Sequence, residues 1–218
     1  MELQAVIEKR QSIRRYKEGD VPKEHIEEMV RAAGLAPSGK NIQNWHFVVI
    51  KDKAIMEKMA AAIKAKNEEM VAEMMKVDEA KALRFEKFAK NFTLFFVNAP
   101  VLTVVMSKVY TPSGYNEYKL IGADDETLKD LLHHRNPGMQ SLGAAIENFY
   151  LRAVDLGYGL CWLTSANYAA AALEKILKED CGFEKEGYFL AALLSIGVPE
   201  DNQKSPAKLP VEEILTYV

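Results

Sequence analysis

Two stretches of the sequence decide the fold and the candidate site: RQSIRRY at residues 10–16 and APSGKNIQNWHF at residues 36–47. The first stretch places Arg10 and Arg14 four residues apart around the hydroxyl of Ser12. An arginine guanidinium binds phosphate oxygens through two parallel hydrogen bonds and keeps its charge at physiological pH. The arginines therefore indicate an anion site. They are equally typical of a solvated helix end, and the arginines alone do not decide between the two interpretations.

The second stretch follows a predicted helix that begins after Pro22 and ends at Gly34. It carries serine, asparagine and glutamine side chains and leads into the apolar, β-branched run WHFVVI at residues 45–50, which predicts a buried strand. The sequence thus brings a hydrogen-bonding loop to the start of a core strand. Together with the arginines, this loop suits a phosphorylated, planar ligand that is rich in hydrogen-bonding groups.

The composition is that of an ordinary globular protein of 218 residues, with 49% hydrophobic and 27% charged residues. This length predicts one domain over residues 1–218. A formal charge of −3 without basic clusters argues against nucleic-acid binding. No apolar stretch reaches the roughly 20 residues of a membrane span, and the first residues lack a signal-peptide pattern. Two cysteines without metal-ligand spacing indicate a reducing, cytoplasmic setting and no metal.

The hydrophobic pattern predicts an alternation of helices and strands. Residues 2–11 read as a short amphipathic helix, and residues 54–91, which contain no proline or glycine, read as one long or two shorter helices. Residues 138–156 are apolar on most faces and predict a core helix after the cap Asn136-Pro137. The other expected elements are strands at 101–106, 160–163 and 188–197, a helix near 169–179, a surface loop with a short helix at 107–135, and an extended tail from residue 198.

In this order, the two opening stretches resemble the signature of the flavin-dependent nitroreductase family, roughly R-x-S-x-R-x-F/Y followed by A-P-S-x-x-N-x-Q-P-W-x-F. The resemblance extends over nearly the whole chain and is interrupted at about residues 64–92 and 107–135. It implies an α+β fold with a central mixed, mostly antiparallel β-sheet surrounded by helices, a long core helix at a homodimer interface and an extended C-terminal arm. The two interruptions are then variable excursions of one FMN-binding domain.

The resemblance assigns cofactor contacts to the arginine stretch and to the arm. Arg10 matches the phosphate-binding arginine, and Ser12 matches a ribityl or phosphate contact. Arg14 matches the cation near the pyrimidine edge, where a positive charge would stabilise the reduced cofactor. Lys208 matches a basic residue that reaches the phosphate from the C-terminal arm.

The polar loop matches the part of the family fold that the partner subunit lends to the flavin ring. Pro37, Ser38 and Asn41 are the matching residues, and Gln43 lies in the same block as a contact or a brace of the loop. The chain departs from the family at Asn44, where a proline is usual. A residue other than proline is expected to loosen the loop before the strand.

The turn after the strand at 160–163 matches the family turn whose backbone N–H groups point at flavin N5. In this chain the turn is formed by Leu163, Thr164 and Ser165, where the family usually has glycines. Because that contact comes from the backbone, no side chain needs to act as an acid or a base. Whether Lys204 or Asn67 adds a further FMN contact stays open.

The implied activity is that of an FMN-dependent oxidoreductase that uses NADH or NADPH to reduce nitroaromatics, quinones or related small-molecule acceptors by a ping-pong hydride mechanism. Two alternatives are open. The first is a family relative with another flavin reaction, such as reductive dehalogenation or flavin destruction. A dehalogenase would clamp a zwitterionic amino acid with glutamate, tyrosine and lysine, but Glu117, Tyr118 and Lys119 are consecutive here. A flavin-binding or interaction protein without turnover would use residues 54–91 as its contact surface.

Overall fold

The computed structural model describes residues 1–218 and contains nine α-helices and four β-strands. In chain order these are α1 (Leu3–Lys9), α2 (Lys23–Gly34), β1 (Trp45–Ile50), α3 (Lys53–Met75), α4 (Glu79–Phe92), β2 (Val101–Lys108), α5 (Tyr115–Leu120), α6 (Asp125–His133), α7 (Pro137–Asp155), β3 (Gly159–Leu163), α8 (Ala170–Glu179), β4 (Tyr188–Gly197) and α9 (Val211–Ile214). All four expected strands are confirmed, as are the expected helices α1, α2, α7 and α8. None of these helices has the length and hydropathy that a membrane-crossing segment requires.

The four strands form one antiparallel sheet in the order β1, β2, β4, β3. The expected α+β fold with a mostly antiparallel sheet is confirmed. The parallel contact at the sheet is an isolated bridge between Ser12 and Leu160. Because β2 and β4 occupy the centre, they are buried along nearly their whole length. β3 lies at one edge of the sheet, and the arginine stretch lies along its outer side.

Hydrophobic clusters cover both faces of the sheet. On one face, α2 and α7 pack around Leu142, Phe149 and Tyr150. On the other face, α3 and α8 pack around Ile63 and Leu173. Complete burial of one such side chain stabilises a fold by about 1.5–3 kcal/mol, so both clusters hold the sheet in place. The core position that was expected for α7 is confirmed.

Both variable excursions are helical. Residues 54–91 form the pair α3 and α4, whose N-termini are capped by the carboxylates of Asp52 and Asp78. In the stretch 107–135 the expectation of one short helix is wrong, because α5 and α6 both form there. The carboxylate of Asp124 accepts a hydrogen bond from the N–H of Thr127 at 2.7 Å and so starts α6. In the sequence alone, Asp124 and Asp125 at the start of α6 favour a surface loop.

Candidate functional site

The arginine stretch runs beside β3 as an irregular additional strand. The N–H of Ile13 donates to the carbonyl of Leu160 at 2.7 Å. The hydroxyl of Tyr150, on α7, shares its one proton between the carbonyls of Gln11, at 2.7 Å, and of Leu160. Burial raises the pKa of the Tyr150 hydroxyl, which therefore stays protonated as a donor at physiological pH. The core helix thus fixes residues 10–16 against the edge strand.

Arg10 and Arg14 are held by aromatic rings, and Arg14 lacks a carboxylate partner. The Arg10 guanidinium carbon lies 5.3 Å from the ring centroid of Tyr150, and Arg10 Nε is 3.5 Å from Glu147 Oε1. The Arg14 guanidinium carbon lies 5.6 Å from the ring centroid of Phe92, and Arg14 forms no ion pair. Cation–π contacts orient a guanidinium without using its N–H donors. Both side chains therefore keep donors for an anionic ligand.

The C-terminal arm begins next to the same stretch. Gln11 Nε2 donates to the carbonyl of Gln203 at 2.9 Å, and the N–H of Ser205 donates to Gln11 Oε1 at 3.1 Å. Beyond this clamp, residues 206–218 are all exposed. Lys204 and Lys208 make no hydrogen bond or ion pair. The single chain thus places the start of the arm at the site without bringing Lys208 to Arg10.

The polar loop is a strained segment with free hydrogen-bonding groups. Lys40, Asn41 and Gln43 have φ angles of 55°, 51° and 46°. The hydroxyl of Ser38 accepts from the N–H of Gln43, and Gln43 Nε2 donates to Asn41 Oδ1, both at 3.1 Å. These bonds leave the Asn41 Nδ2 donors and the Gln43 Oε1 acceptor free beside the exposed Pro37. Residues other than glycine with left-handed φ concentrate at ligand sites.

Asn44 ties the loop to the core. Its side chain is fully buried, and its Nδ2 donates to the Ser107 hydroxyl and to the Gly138 carbonyl, both at 3.0 Å. The N–H of Gly39 also donates to the Ser141 hydroxyl at 3.1 Å. The expectation that Asn44 loosens the loop is therefore wrong. Two hydrogen bonds from its side chain to β2 and α7 anchor the loop at this position.

The arginine stretch and the polar loop do not meet within one chain. No hydrogen bond or ion pair joins residues 37–43 to residues 10–16. Both pack on α7, the loop at Ser141 and the stretch at Tyr150, nine positions apart in the sequence. At 1.5 Å rise per residue this is about 14 Å along the helix axis. The residues predicted for one flavin thus fall into two separate groups on each chain.

The turn after β3 has free backbone donors. Leu163 is buried and ends the strand, whereas Thr164 is exposed. The N–H groups of Thr164 and Ser165 make no hydrogen bond within the chain. The Ser165 hydroxyl donates to the carbonyl of Phe92 at 2.9 Å, which connects the turn to the end of α4. The turn therefore presents two N–H donors at the end of the strand that carries the arginine stretch.

Asn67 is engaged within the protein. Its Nδ2 donates to the Thr93 hydroxyl at 3.1 Å, and its Oδ1 accepts from the Tyr168 hydroxyl. The Thr93 hydroxyl in turn donates to the carbonyl of Ala89 at 2.6 Å. This buried chain of hydrogen bonds joins α3, α4 and the turn that precedes α8. Asn67 therefore has a structural role, which its position in the sequence did not reveal.

A prominent cleft of the molecule lies elsewhere. It has a volume of about 790 Å³, runs between α8 and the start of β4, and is lined by none of the predicted cofactor residues. His46 stacks on Phe183 near this cleft, with ring centroids 5.3 Å apart. Partial burial, and then the Lys185 ammonium, lower the pKa of His46. This histidine is a neutral packing residue at pH 7.

The two cysteines differ in accessibility. Cys161 is buried in β3, where burial raises the pKa of its thiol, whereas Cys181 is exposed after α8. We therefore expect a thiol reagent at neutral pH to modify one cysteine per chain in the folded protein and two after unfolding. Mass spectrometry of peptides would locate the label. Rapid modification of Cys161 in the folded protein would contradict the assignment of this residue to the core.

The antiparallel sheet, the core helix on one face and the arginine stretch along the edge strand define an α+β fold of the nitroreductase type. The model of the nitroreductase family matches residues 7–198, and the chain belongs to this family. The expectation drawn from the two signature stretches is thereby confirmed at the level of fold and family.

Individual relatives cover most of the chain. A crystal structure of a BluB-like flavoprotein from Clostridium difficile 630 has 61% sequence identity and a TM-score of 0.96, and the match covers 100% of this chain and 99% of that one. Iodotyrosine deiodinase from Hydra vulgaris is 29% identical over 94% of this chain and 69% of its own length. A nitroreductase with bound FMN from Desulfitobacterium hafniense DCB-2 shares the fold, with a TM-score of 0.70, 24% identity and coverage of 100% and 98%.

Proposed function

We propose that the protein is an FMN-dependent oxidoreductase that reduces small acceptors, such as nitroaromatics or quinones, with electrons from NADH or NADPH. The observation that carries this proposal is the pair Arg10 and Arg14, which aromatic rings orient beside β3, with Arg14 in no ion pair and Arg10 Nε 3.5 Å from Glu147 Oε1. Family membership and the FMN held by a solved relative support it. FMN supplies reversible hydride transfer when it is bound.

The donor set of the chain fits FMN in its chemistry. Arg10 would hold the phosphate with Ser12 next to it, and Arg14 would place a positive charge near the pyrimidine edge. The free N–H groups of Thr164 and Ser165 would serve as donors on the side of N5. The task of these residues is to bind and orient, so the proposal requires no proton transfer by a side chain.

The proposal places the active unit in a homodimer. The outer side of α7 is incompletely covered, with Met139 46% exposed and the neighbouring Trp162 38% exposed. The arm also leaves Leu209, Ile214 and Tyr217 uncovered. A second copy on α7 would bury these apolar side chains and would bring its polar loop towards the arginine stretch. That arrangement would unite the two groups of residues that one chain keeps apart.

The direct test of turnover is an anaerobic titration of the FMN-loaded protein. We expect NADH or NADPH to bleach the visible absorbance of the oxidised flavin and an added nitroaromatic or quinone to restore it. Equal volumes of buffer serve as the control. A bound flavin that neither nucleotide bleaches would contradict the proposed activity and would favour a binding protein without turnover.

Reductive dehalogenation is the second candidate because the chain is 29% identical to an iodotyrosine deiodinase over 94% of its length. The residues considered for a clamp, Glu117, Tyr118 and Lys119, lie on the short helix α5, and their side chains are exposed. They form no preassembled clamp. Release of iodide from 3-iodotyrosine in the same anaerobic assay would favour this candidate if nitroaromatics do not reoxidise the reduced flavin.

A further inference from the structure

Helix α4 exposes a row of aromatic rings. Phe88 and Phe92 stack with their ring centroids 5.6 Å apart, yet the two residues are 41% and 43% exposed. Phe85 extends the row, 6.2 Å from Phe88 and 6.1 Å from Tyr168 between ring centroids. We call Phe85, Phe88 and Phe92 the aromatic stripe. Stacked rings that remain open to solvent offer a surface on which another aromatic ring can stack.

One end of the aromatic stripe touches the proposed cofactor site. The Arg14 guanidinium carbon lies 5.6 Å from the ring centroid of Phe92. The Ser165 hydroxyl donates to the carbonyl of the same phenylalanine at 2.9 Å. Arg14 and Ser165 are both among the residues proposed to face the flavin ring. The stripe therefore leads away from the place where a substrate would meet the cofactor.

The position of the stripe is fixed before any ligand binds. The buried bonds from Asn67 to Thr93 and from Tyr168 to Asn67 hold the end of α4 against α3 and against the turn after β3. A surface that is already in its binding conformation loses little entropy when it binds. The aromatic stripe thus meets the requirement of a preformed binding wall.

The charges along the stripe are positive. Arg84 lies one helical turn before Phe88, on the same face of α4, and forms no ion pair. Arg14 at the other end forms none either. The acidic Glu86 lies on another side of the helix, where it lines a separate cleft with Lys90. A ligand on the stripe therefore meets aromatic rings and a guanidinium that forms no ion pair.

We propose that the aromatic stripe and Arg84 bind a planar aromatic carboxylate. The ring would stack on Phe88 and Phe92, and the carboxylate would pair with the Arg84 guanidinium. This inference rests on the proposed function, since it names the acceptor class that the enzyme would prefer. Ring stacking provides the contact area, and the Arg84 guanidinium favours a carboxylate ligand over a neutral ring of the same shape.

The test is calorimetric titration of the protein with 2-naphthoate, with the neutral naphthalene-2-methanol and with cyclohexanecarboxylate. We expect 2-naphthoate to bind most tightly. Phe88→Leu should raise its Kd about threefold to tenfold, because a leucine keeps apolar contact but removes ring stacking. Arg84→Gln should raise the Kd of 2-naphthoate about twofold to fivefold and leave the Kd of naphthalene-2-methanol unchanged. Lys90→Gln removes one positive charge from another side of α4 and should leave the Kd of both ligands unchanged.

The outcomes separate this inference from the proposed function. FMN content is measured in every sample, so a protein that takes up no FMN contradicts the proposed function, while its naphthoate isotherm still decides on the stripe. Unchanged naphthoate binding in Phe88→Leu, or an equal loss in Lys90→Gln, would overturn the inference. Dissociation of a dimer by Phe88→Leu would also overturn it, because the stripe would then be a contact between subunits.

Discussion

Replacement of Arg10 by alanine is expected to raise the Kd for FMN about a hundredfold. A hydrogen bond between charged groups contributes about 1.5–3 kcal/mol, and a bidentate arginine–phosphate contact contains two of them. A loss of about 3 kcal/mol corresponds to a hundredfold change, since each factor of ten is about 1.4 kcal/mol. Quenching of FMN fluorescence on titration with protein stripped of cofactor measures this Kd.

Arg15 provides a matched control for this experiment. It lies in the same stretch, but its exposed guanidinium pairs with Glu200 at 3.2 Å and points to no proposed ligand. Arg15→Ala should change the Kd by no more than about twofold, as is usual for exposed ion pairs. Arg10→Lys should fall between wild type and Arg10→Ala, because lysine keeps the charge and loses the paired donors. Equal Kd values for Arg10→Ala and Arg15→Ala would contradict the phosphate role of Arg10.

The second large effect is expected at Gly159. A Cβ atom at this position would lie 2.6 Å from Cγ1 and 2.9 Å from Cβ of Ile13, because the arginine stretch runs beside β3 in contact with the glycine backbone. Forcing extra atoms into such a contact costs about 1–3 kcal/mol. Gly159→Ala should therefore lower the Tm by about 2–4 °C for each kcal/mol in a chain of this size. Circular dichroism during heating measures it.

Gly34 is the control position for the packing argument. A Cβ atom there has no heavy atom within 4 Å, and the residue ends α2 with an ordinary negative φ. Gly34→Ala should leave the Tm unchanged or raise it slightly, because alanine restricts the unfolded chain more than glycine does. Similar Tm values for the two variants would show that the arginine stretch is not pressed against β3 as the structure has it.

The sequence could predict most of the fold because its elements carry strong local patterns. The run WHFVVI became β1 with the expected bounds, and the cap Asn136-Pro137 begins α7 as expected. The role of Asn44 could not be predicted, since its partners Ser107 and Gly138 are far away in the sequence. Local patterns report burial and propensity, whereas side-chain hydrogen bonds depend on which distant residues meet.

The candidate site was predictable where a motif names its residues, and less so where only contacts matter. Arg10 and Arg14 stand out as cations at fixed spacing. Tyr150, which holds the arginine stretch in place, acts through its hydroxyl on backbone carbonyls and leaves no pattern in the sequence. The spacing of Phe88 and Phe92 was visible, but apolar residues at helical spacing usually face a core. Only the structure revealed that their rings are open.

The resemblance already implied that the polar loop serves the flavin of the partner subunit, and the structure adds the geometry of the two groups within one chain. The sequence placed residues 10–16 and 37–43 close together along the chain. The fold puts them at different heights on α7, with the stretch at Tyr150 and the loop at Ser141. This geometry is the physical reason why the proposal requires a second copy of the chain.

Parallel titrations with FMN and riboflavin test whether an FMN phosphate binds the arginine stretch. Riboflavin has the same ring and ribityl chain without the phosphate. We expect saturation at one FMN per chain and a Kd for riboflavin about a hundredfold higher, because riboflavin loses a bidentate charged contact. Absence of FMN binding, or riboflavin binding as tight as that of FMN, would contradict phosphate binding by the arginine stretch.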